Sequence, residues 1–277
     1  QIKHLDKVQR RACLATLNAM PSTPTAGMET LLNIEPMCIF LQAQAINTYL
    51  RLVDNGNWRA VGGQIKDDNA HSNLVTRLAE EIPNLRMPSD KMILKEHVRT
   101  YFTANINTRE EMNRTRKKPE PDQANTINCF TDGSRFNGRS GCGYKIRGSG
   151  NDISGYSGLG TLATVFQAEI QAILEATQTL IELEVQNKTV DFYIDNQASI
   201  LALKKYEIKN RQTLECKIAL NQLANGNNVQ LHWIPAHTGF HTGNEVADKL
   251  AKMGTKLKVM GPEPIIPVSE ALIRAEL

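Results

Sequence analysis

The chain has 277 residues, of which 41% are hydrophobic and 22% charged, with 32 basic against 29 acidic side chains and a net charge of +3. A chain of this length suits about two domains, and the composition argues for a globular protein and against a disordered one. The basic surplus is too small to announce nucleic-acid binding by itself.

No stretch approaches the roughly 20 apolar residues that span a bilayer, so no membrane partner is expected, and the amino terminus carries no signal core. The cysteines stand at Cys13, Cys38, Cys129, Cys142 and Cys216, an odd number without a C-x-x-C pair. That pattern fits a reduced, intracellular setting, with nucleus and cytoplasm not distinguished. Beginning at Gln1 inside a helical pattern, the chain reads as a piece of a longer polypeptide.

From Ile2 to Leu17 apolar residues recur at helical intervals with Lys3, Lys7, Arg10 and Arg11 between them, which predicts an amphipathic helix. Pro21-Ser22-Thr23-Pro24 breaks it, and Thr23 before Pro24 starts a second helix through Met28 and Leu32. A third is expected from about Pro36 to Leu52, closed by Asn55-Gly56-Asn57. Beyond it, Val61-Gly62-Gly63 and Asp67 to Ser72 read as loop, while Leu74 to Glu81 and Ser89 to Phe102 read as further helices. His4, His71 and His97 are isolated and read as surface or packing residues. Residues 1–112 are thus expected to be a helical connection region. The run Arg114 to Lys118 before Pro119-Glu120-Pro121-Asp122 makes residues 113–125 a basic, proline-bearing linker.

After residue 125 the period changes. Thr126 to Thr131, Gly141 to Arg147, Asn151 to Ser157, Val190 to Ile194 and Val229 to Ile234 read as strands. Ala163 to Leu183, Gln197 to Lys205, Thr213 to Ala224 and Gly243 to Met253 read as helices between and after them. The expected fold class is α/β: a mixed five-stranded sheet flanked by helices over residues 126–254, preceded by the helical region and followed by a tail over 255–277.

Four acids fall at strand ends or helix faces of this scheme: Asp132, Glu169, Asp195 and Asp248. Carboxylates shielded from water are costly unless compensated, and divalent metal compensates several at once. Asp132 and Asp195 are expected at the ends of the first and fourth strands, and Glu169 and Asp248 in the first turns of two helices. If those strands are neighbours, all four converge on one end of the sheet. Hard oxygen ligands suit Mg²⁺, and two such ions about 4 Å apart can activate water and stabilise a leaving oxygen at a phosphodiester.

The strings Phe130-Thr131-Asp132-Gly133-Ser134, Gln167-Ala168-Glu169, Ile194-Asp195-Asn196-Gln197, His232-Trp233-Ile234-Pro235-Ala236-His237-Thr238-Gly239 and Gly243-Asn244-Glu245-Val246-Ala247-Asp248 resemble type 1 ribonuclease H in the family's order. The resemblance covers about residues 126–254. It implies a ribonuclease H-like fold and endonucleolytic hydrolysis of the RNA strand of RNA/DNA hybrids with two Mg²⁺ or Mn²⁺ ions. Asp132, Glu169, Asp195 and Asp248 match the family's metal-binding carboxylates, and His237 matches a loop histidine that assists proton transfer or product release. An enzyme that cuts only RNA must sense the 2′-hydroxyl, and Ser134, Asn196 and Gln197 are placed to contact it as substrate-binding residues. Asn196 stands where many relatives have Ser. The family's cellular members often carry a basic helical protrusion before the last strand. Leu203 to Thr213 has room here only for a short loop with Lys204, Lys205, Lys209 and Arg211, open to reading as a DNA-backbone contact or a solvated turn.

Leu5 to Arg11, Thr23-Pro24-Thr25 and Met28 to Met37 resemble the helical connection between reverse transcriptase and ribonuclease H in non-LTR retrotransposon polyproteins, and Gly261 to Val268 is similar to the segment after the domain there. A reverse transcriptase domain of the same polyprotein is the partner this implies. Two other readings stand beside it: a catalytically silent nucleic-acid-binding remnant, or another nuclease of the ribonuclease H-like superfamily. Singly, each acid also has an ordinary reading as turn former or helix-surface charge. Glu175 and Glu245 read as structural, the first on a helix surface and the second in a first turn.

Overall fold

The computed structural model describes residues 2–54, 87–106, 125–148, 150, 152–235, 242–258 and 261–275. The chain forms two compact units, Gln1–Leu85 with Leu277 and Arg86–Glu276.

In the first unit, α1 (Ile2–Leu17), α2 (Thr25–Leu32) and α3 (Met37–Asp54) follow the expected helical periods. Pro24 stands at the N-cap of α2, and Asn33 ends that helix in the left-handed region at φ 52°. Cys13 and Met28 are buried between these helices. The Gln9 side chain donates to Glu29 Oε1 at 3.0 Å and to the Glu35 carbonyl at 2.8 Å. Arg10 donates to the Thr23 and Pro21 carbonyls, so the α1–α2 turn is closed by side chains as well as by packing. The stretches expected as loop at 61–63 and 67–72 and as helix at 74–81 lie outside the described residues.

The second unit opens with β1 (Lys91–His97) and β2 (Thr103–Asn105). It continues with β3 (Thr126–Phe136), β4 (Arg139–Arg147), β5 (Ile153–Gly160), α4 (Val165–Glu182), β6 (Thr189–Ile194) and α5 (Gln197–Lys204). Then come β7 (Glu207–Asn210), α6 (Arg211–Ala224), β8 (Asn228–Trp233), α7 (Thr242–Lys256) and α8 (Glu270–Ala275).

Six strands form one mixed sheet in the order β2-β8-β6-β3-β4-β5. The β3–β4 and β4–β5 pairs are antiparallel, and β6, β8 and β2 run parallel to β3. Asn137 and Gly138, both with positive φ, make the two-residue β3–β4 turn, as Asn-Gly hairpins do. Ile127, Cys129, Val190, Phe192, Ile194, Val229 and Leu231 on one face pack with Ile170, Ile173, Leu180, Leu220 and Leu223 of α4 and α6.

The opposite face of β3, β4 and β5 carries α7. There Gly143 meets the helix backbone so closely that a Cβ would lie 2.4 Å from the Ala251 nitrogen, so α7 sits directly on the strand.

Three expectations are corrected. The segment from Ser89 to Phe102 is not a helix: Lys91–His97 is a strand paired antiparallel with Glu207–Asn210, and Phe102 joins the sheet core. Its partner lies more than a hundred residues away, which local periodicity cannot register. For the same reason the stretch after Leu203 contains a strand rather than only a loop, and β2 brings the sheet from five strands to six.

Candidate active site

β3 and β6 are neighbours, with Thr131 opposite Ile194 as their last paired residues. Asp132 and Asp195 therefore leave the parallel pairing side by side. Asp132 is not at a strand terminus, because β3 continues to Phe136 against β4. Beyond its parallel partner, however, the strand opens one edge, and Asp132 stands at that opening.

Glu169 arrives from α4. A capping box starts this helix, with the Thr164 side chain accepting from the Gln167 N–H and the Gln167 side chain from the Thr164 N–H. Glu169 consequently lies in the second turn rather than the first. A Cβ on Gly133 would lie 2.4 Å from the Glu169 nitrogen. Only glycine lets β3 and α4 approach that closely.

Carboxylate oxygens of Asp132, Glu169 and Asp195 all lie within 4.8 Å of one another, with Asp132 and Glu169 buried. Asp132, Glu169, Asp195, Asn196, Gln197 and Trp233 line one open depression. Asp248, in the second turn of α7, does not join the three-carboxylate group; its Oδ2 accepts from Lys252 Nζ at 2.8 Å. It is near enough for its charge to act on Asp132.

Burial foremost, then the charges of Asp195 and Asp248, push the Asp132 carboxyl up to about 8, with Lys252 opposing them. Burial together with the charges of Asp132 and Asp195 holds Glu169 well above the usual carboxylate range, although a Gly133 N–H and the Asn196 side chain donate to it. Its Oε2 is buried with no hydrogen-bond partner. A buried carboxylate oxygen without a donor costs several kcal/mol unless a cation meets it. The donor set is wholly hard oxygen, so these three residues fit a divalent ion of the Mg²⁺ or Mn²⁺ kind.

The expected substrate contacts separate. Asn196 uses Oδ1 to cap α5 by accepting from the Ser199 N–H at 3.2 Å, while its amide steadies Glu169. Gln197 is exposed at the depression. Ser134 lies two residues past Asp132 on β3, half-buried, and is not among the lining residues. His237 lies outside the described residues, as do all of residues 236–241. Glu175 is not a free helix-surface acid, since it accepts from Cys142 Sγ, Ser157 Oγ and Gln171 Nε2.

Two residues of the site escaped the sequence reading. Trp233 donates from Nε1 to the Asp195 carbonyl at 2.9 Å. Asn244 Nδ2 lies 3.5 Å from Asp195 Oδ2, with its own Oδ1 buried and unpartnered. Asn244 precedes Asp248 by four positions, the spacing that puts both on one helix face. That spacing was the available signal.

Comparison with known proteins bears on this region. The family model described as RNase H matches residues 124–256. No curated protein matches the chain. Among solved structures, the RNase H1 of the halophilic archaeon Halobacterium salinarum is 20% identical, with a TM-score of 0.37, over 47% of this chain and 96% of that one. An N-terminal RNase H domain from Mycobacterium tuberculosis, solved as a fusion with maltose-binding protein, is 16% identical, with a TM-score of 0.39, over 47% of this chain and 99% of that one. Residues 124–256 are an RNase H domain, the domain of an RNA–DNA hybrid ribonuclease.

Proposed function

We propose that the chain cuts the RNA strand of RNA/DNA hybrids endonucleolytically, with two Mg²⁺ or Mn²⁺ ions held by Asp132, Glu169, Asp195 and Asp248, as part of retrotransposon reverse transcription. The observation that carries this reading is the carboxylate trio, two of its members buried, with an orphaned Glu169 oxygen. When bound, divalent ions supply Lewis-acid stabilisation of the phosphodiester and of the attacking water. The chain's own residues do the rest. Asn196 and the Gly133 N–H orient Glu169, while Trp233 holds the Asp195 carbonyl and Asn244 its carboxylate.

Gln197, exposed at the rim, and Ser134 are assigned to the RNA sugar edge, and His237 to proton transfer or product release. In this reading residues 1–112 connect to a reverse transcriptase domain of the parent polyprotein, 113–125 form a linker, 126–254 carry the chemistry and 255–277 form the tail.

Labelled RNA/DNA hybrid, double-stranded RNA and double-stranded DNA incubated with the chain and Mg²⁺ test the activity. Cutting confined to the RNA of the hybrid is expected. Equal cutting of all three, or an intact hybrid, overturns the proposal.

A further inference from the structure

The segments on either side of the family-matched region meet at the base of α4. Ser89 bridges Val268 in parallel, with the Asp90 N–H donating to the Val268 carbonyl and the Val268 N–H to the Pro88 carbonyl, at 2.9 and 2.8 Å. Lys91 Nζ reaches Glu270 Oε2 at 2.9 Å. Val268 and Ile273 are buried, so residues 261–275 form a packed strap.

That strap grips one residue of α4. Gln167, 1% exposed, donates from Nε2 to the Pro267 carbonyl at 2.8 Å while its Oε1 accepts from the Thr164 N–H at 3.1 Å. Its own carbonyl accepts from Gln212 Nε2 at 3.0 Å, from the first turn of α6. The strap, α6 and the helix's own N-cap residue therefore fasten the helical turn that delivers Glu169, two residues further on. Glu169 has a buried oxygen with no partner of its own, so its placement depends on how firmly that turn is held.

We propose that Gln167 is a positioning residue for the acidic site, tying α4 to the strap so that Glu169 stays against Asp132 and Asp195. The proposal rests on the reading of those acids as metal ligands. Hydrogen bonds one step removed from a metal ligand fix its orientation, and their loss costs about 10-fold or more in affinity or activity.

The test measures Mn²⁺ affinity by electron paramagnetic resonance and the kcat and KM for hybrid cleavage in the full chain. Gln167→Met keeps the side-chain volume and removes both bonds. Mn²⁺ binding weaker by about tenfold, with kcat falling and KM unchanged, is expected. Gln167→Glu covers the case in which that variant does not fold, since it keeps the acceptor for Thr164 and loses only the donor to Pro267. Its added negative charge would strengthen cation binding, so a weakened affinity cannot come from charge.

Tyr144→Phe removes the 2.9 Å bond to Thr179 further along α4 and serves as the control for plain destabilisation. The proposal is overturned if folded Gln167 variants bind Mn²⁺ and turn over within about twofold of the unaltered chain, or if Tyr144→Phe weakens Mn²⁺ as much as they do. An unaltered chain that binds no Mn²⁺ overturns the metal-site reading instead, and the proposal with it.

Discussion

Asp90 and Glu169 are both buried carboxylates of the same unit, both pushed above the ordinary range chiefly by burial. Their surroundings differ. Asp90 accepts the Gln212 N–H at 3.0 Å and Asn210 Nδ2 at 3.1 Å, so it caps α6 from outside the helix, whose own N-cap residue Asn210 makes no side-chain cap. Glu169 sits beside two further acids with one oxygen unpartnered. A buried acid with its donors in place holds the architecture together. One that keeps an oxygen without a donor and faces like charge is held in readiness for a cation.

Asp132→Asn should break this contrast most sharply. It removes one charge from the trio while keeping the shape, so hybrid cleavage should fall on the order of a thousandfold, the scale of losing one preorganised electrostatic partner. Without metal the same variant should melt higher than the unaltered chain at pH 8, because a buried charge has gone. A lower melting temperature in assays without metal would place Asp132 with Asp90, as an architectural acid.

The pH dependence has a definite sign. Asp132 is raised from 3.8 to about 8 and Glu169 is raised also, so the folded chain binds more protons than the unfolded one between those values. The stability these groups contribute is complete below their unfolded pKa and is lost as pH rises through the folded one. Metal-free protein should therefore lose stability from about pH 4 to about pH 8, by up to several kcal/mol. Mg²⁺ should flatten the decline. Denaturant titrations across that range, with and without the ion, measure it.

Asp90→Ala should act the other way round. Losing a cap and a charge-assisted bond costs about 2 kcal/mol, seen as a lower melting temperature, while cleavage measured well below melting stays within about twofold. The smallest effect is expected at Asn244→Ala, which frees Asp195 on one side only. Divalent-ion affinity, followed by calorimetry, should weaken about tenfold with melting nearly unchanged. A tenfold loss with Asp90→Ala as well would erase the distinction between the two kinds of buried acid.

Much of this was legible in the chain itself. The three helices of the first unit, the strands from Thr126 onward other than Glu207–Asn210, and the residue types of the acidic site follow from periods and spacings that act over one element at a time. The pairing of Lys91–His97 with Glu207–Asn210 was not legible, because a half-exposed strand pattern reads equally well as a helix until its partner is known. Nor was the strap, whose prolines read locally as a tail.

Sequence alone determined which residues could carry the chemistry, since carboxylates, glycines and an amide at fixed spacings are covalent facts. Only the tertiary structure decided which of them act together. Asp132, Glu169 and Asp195 converge because β3 and β6 are parallel neighbours and Gly133 lets α4 approach, while Asp248 stays paired with Lys252. Long-range packing sets those distances, and with them the burial that makes a carboxylate await a cation.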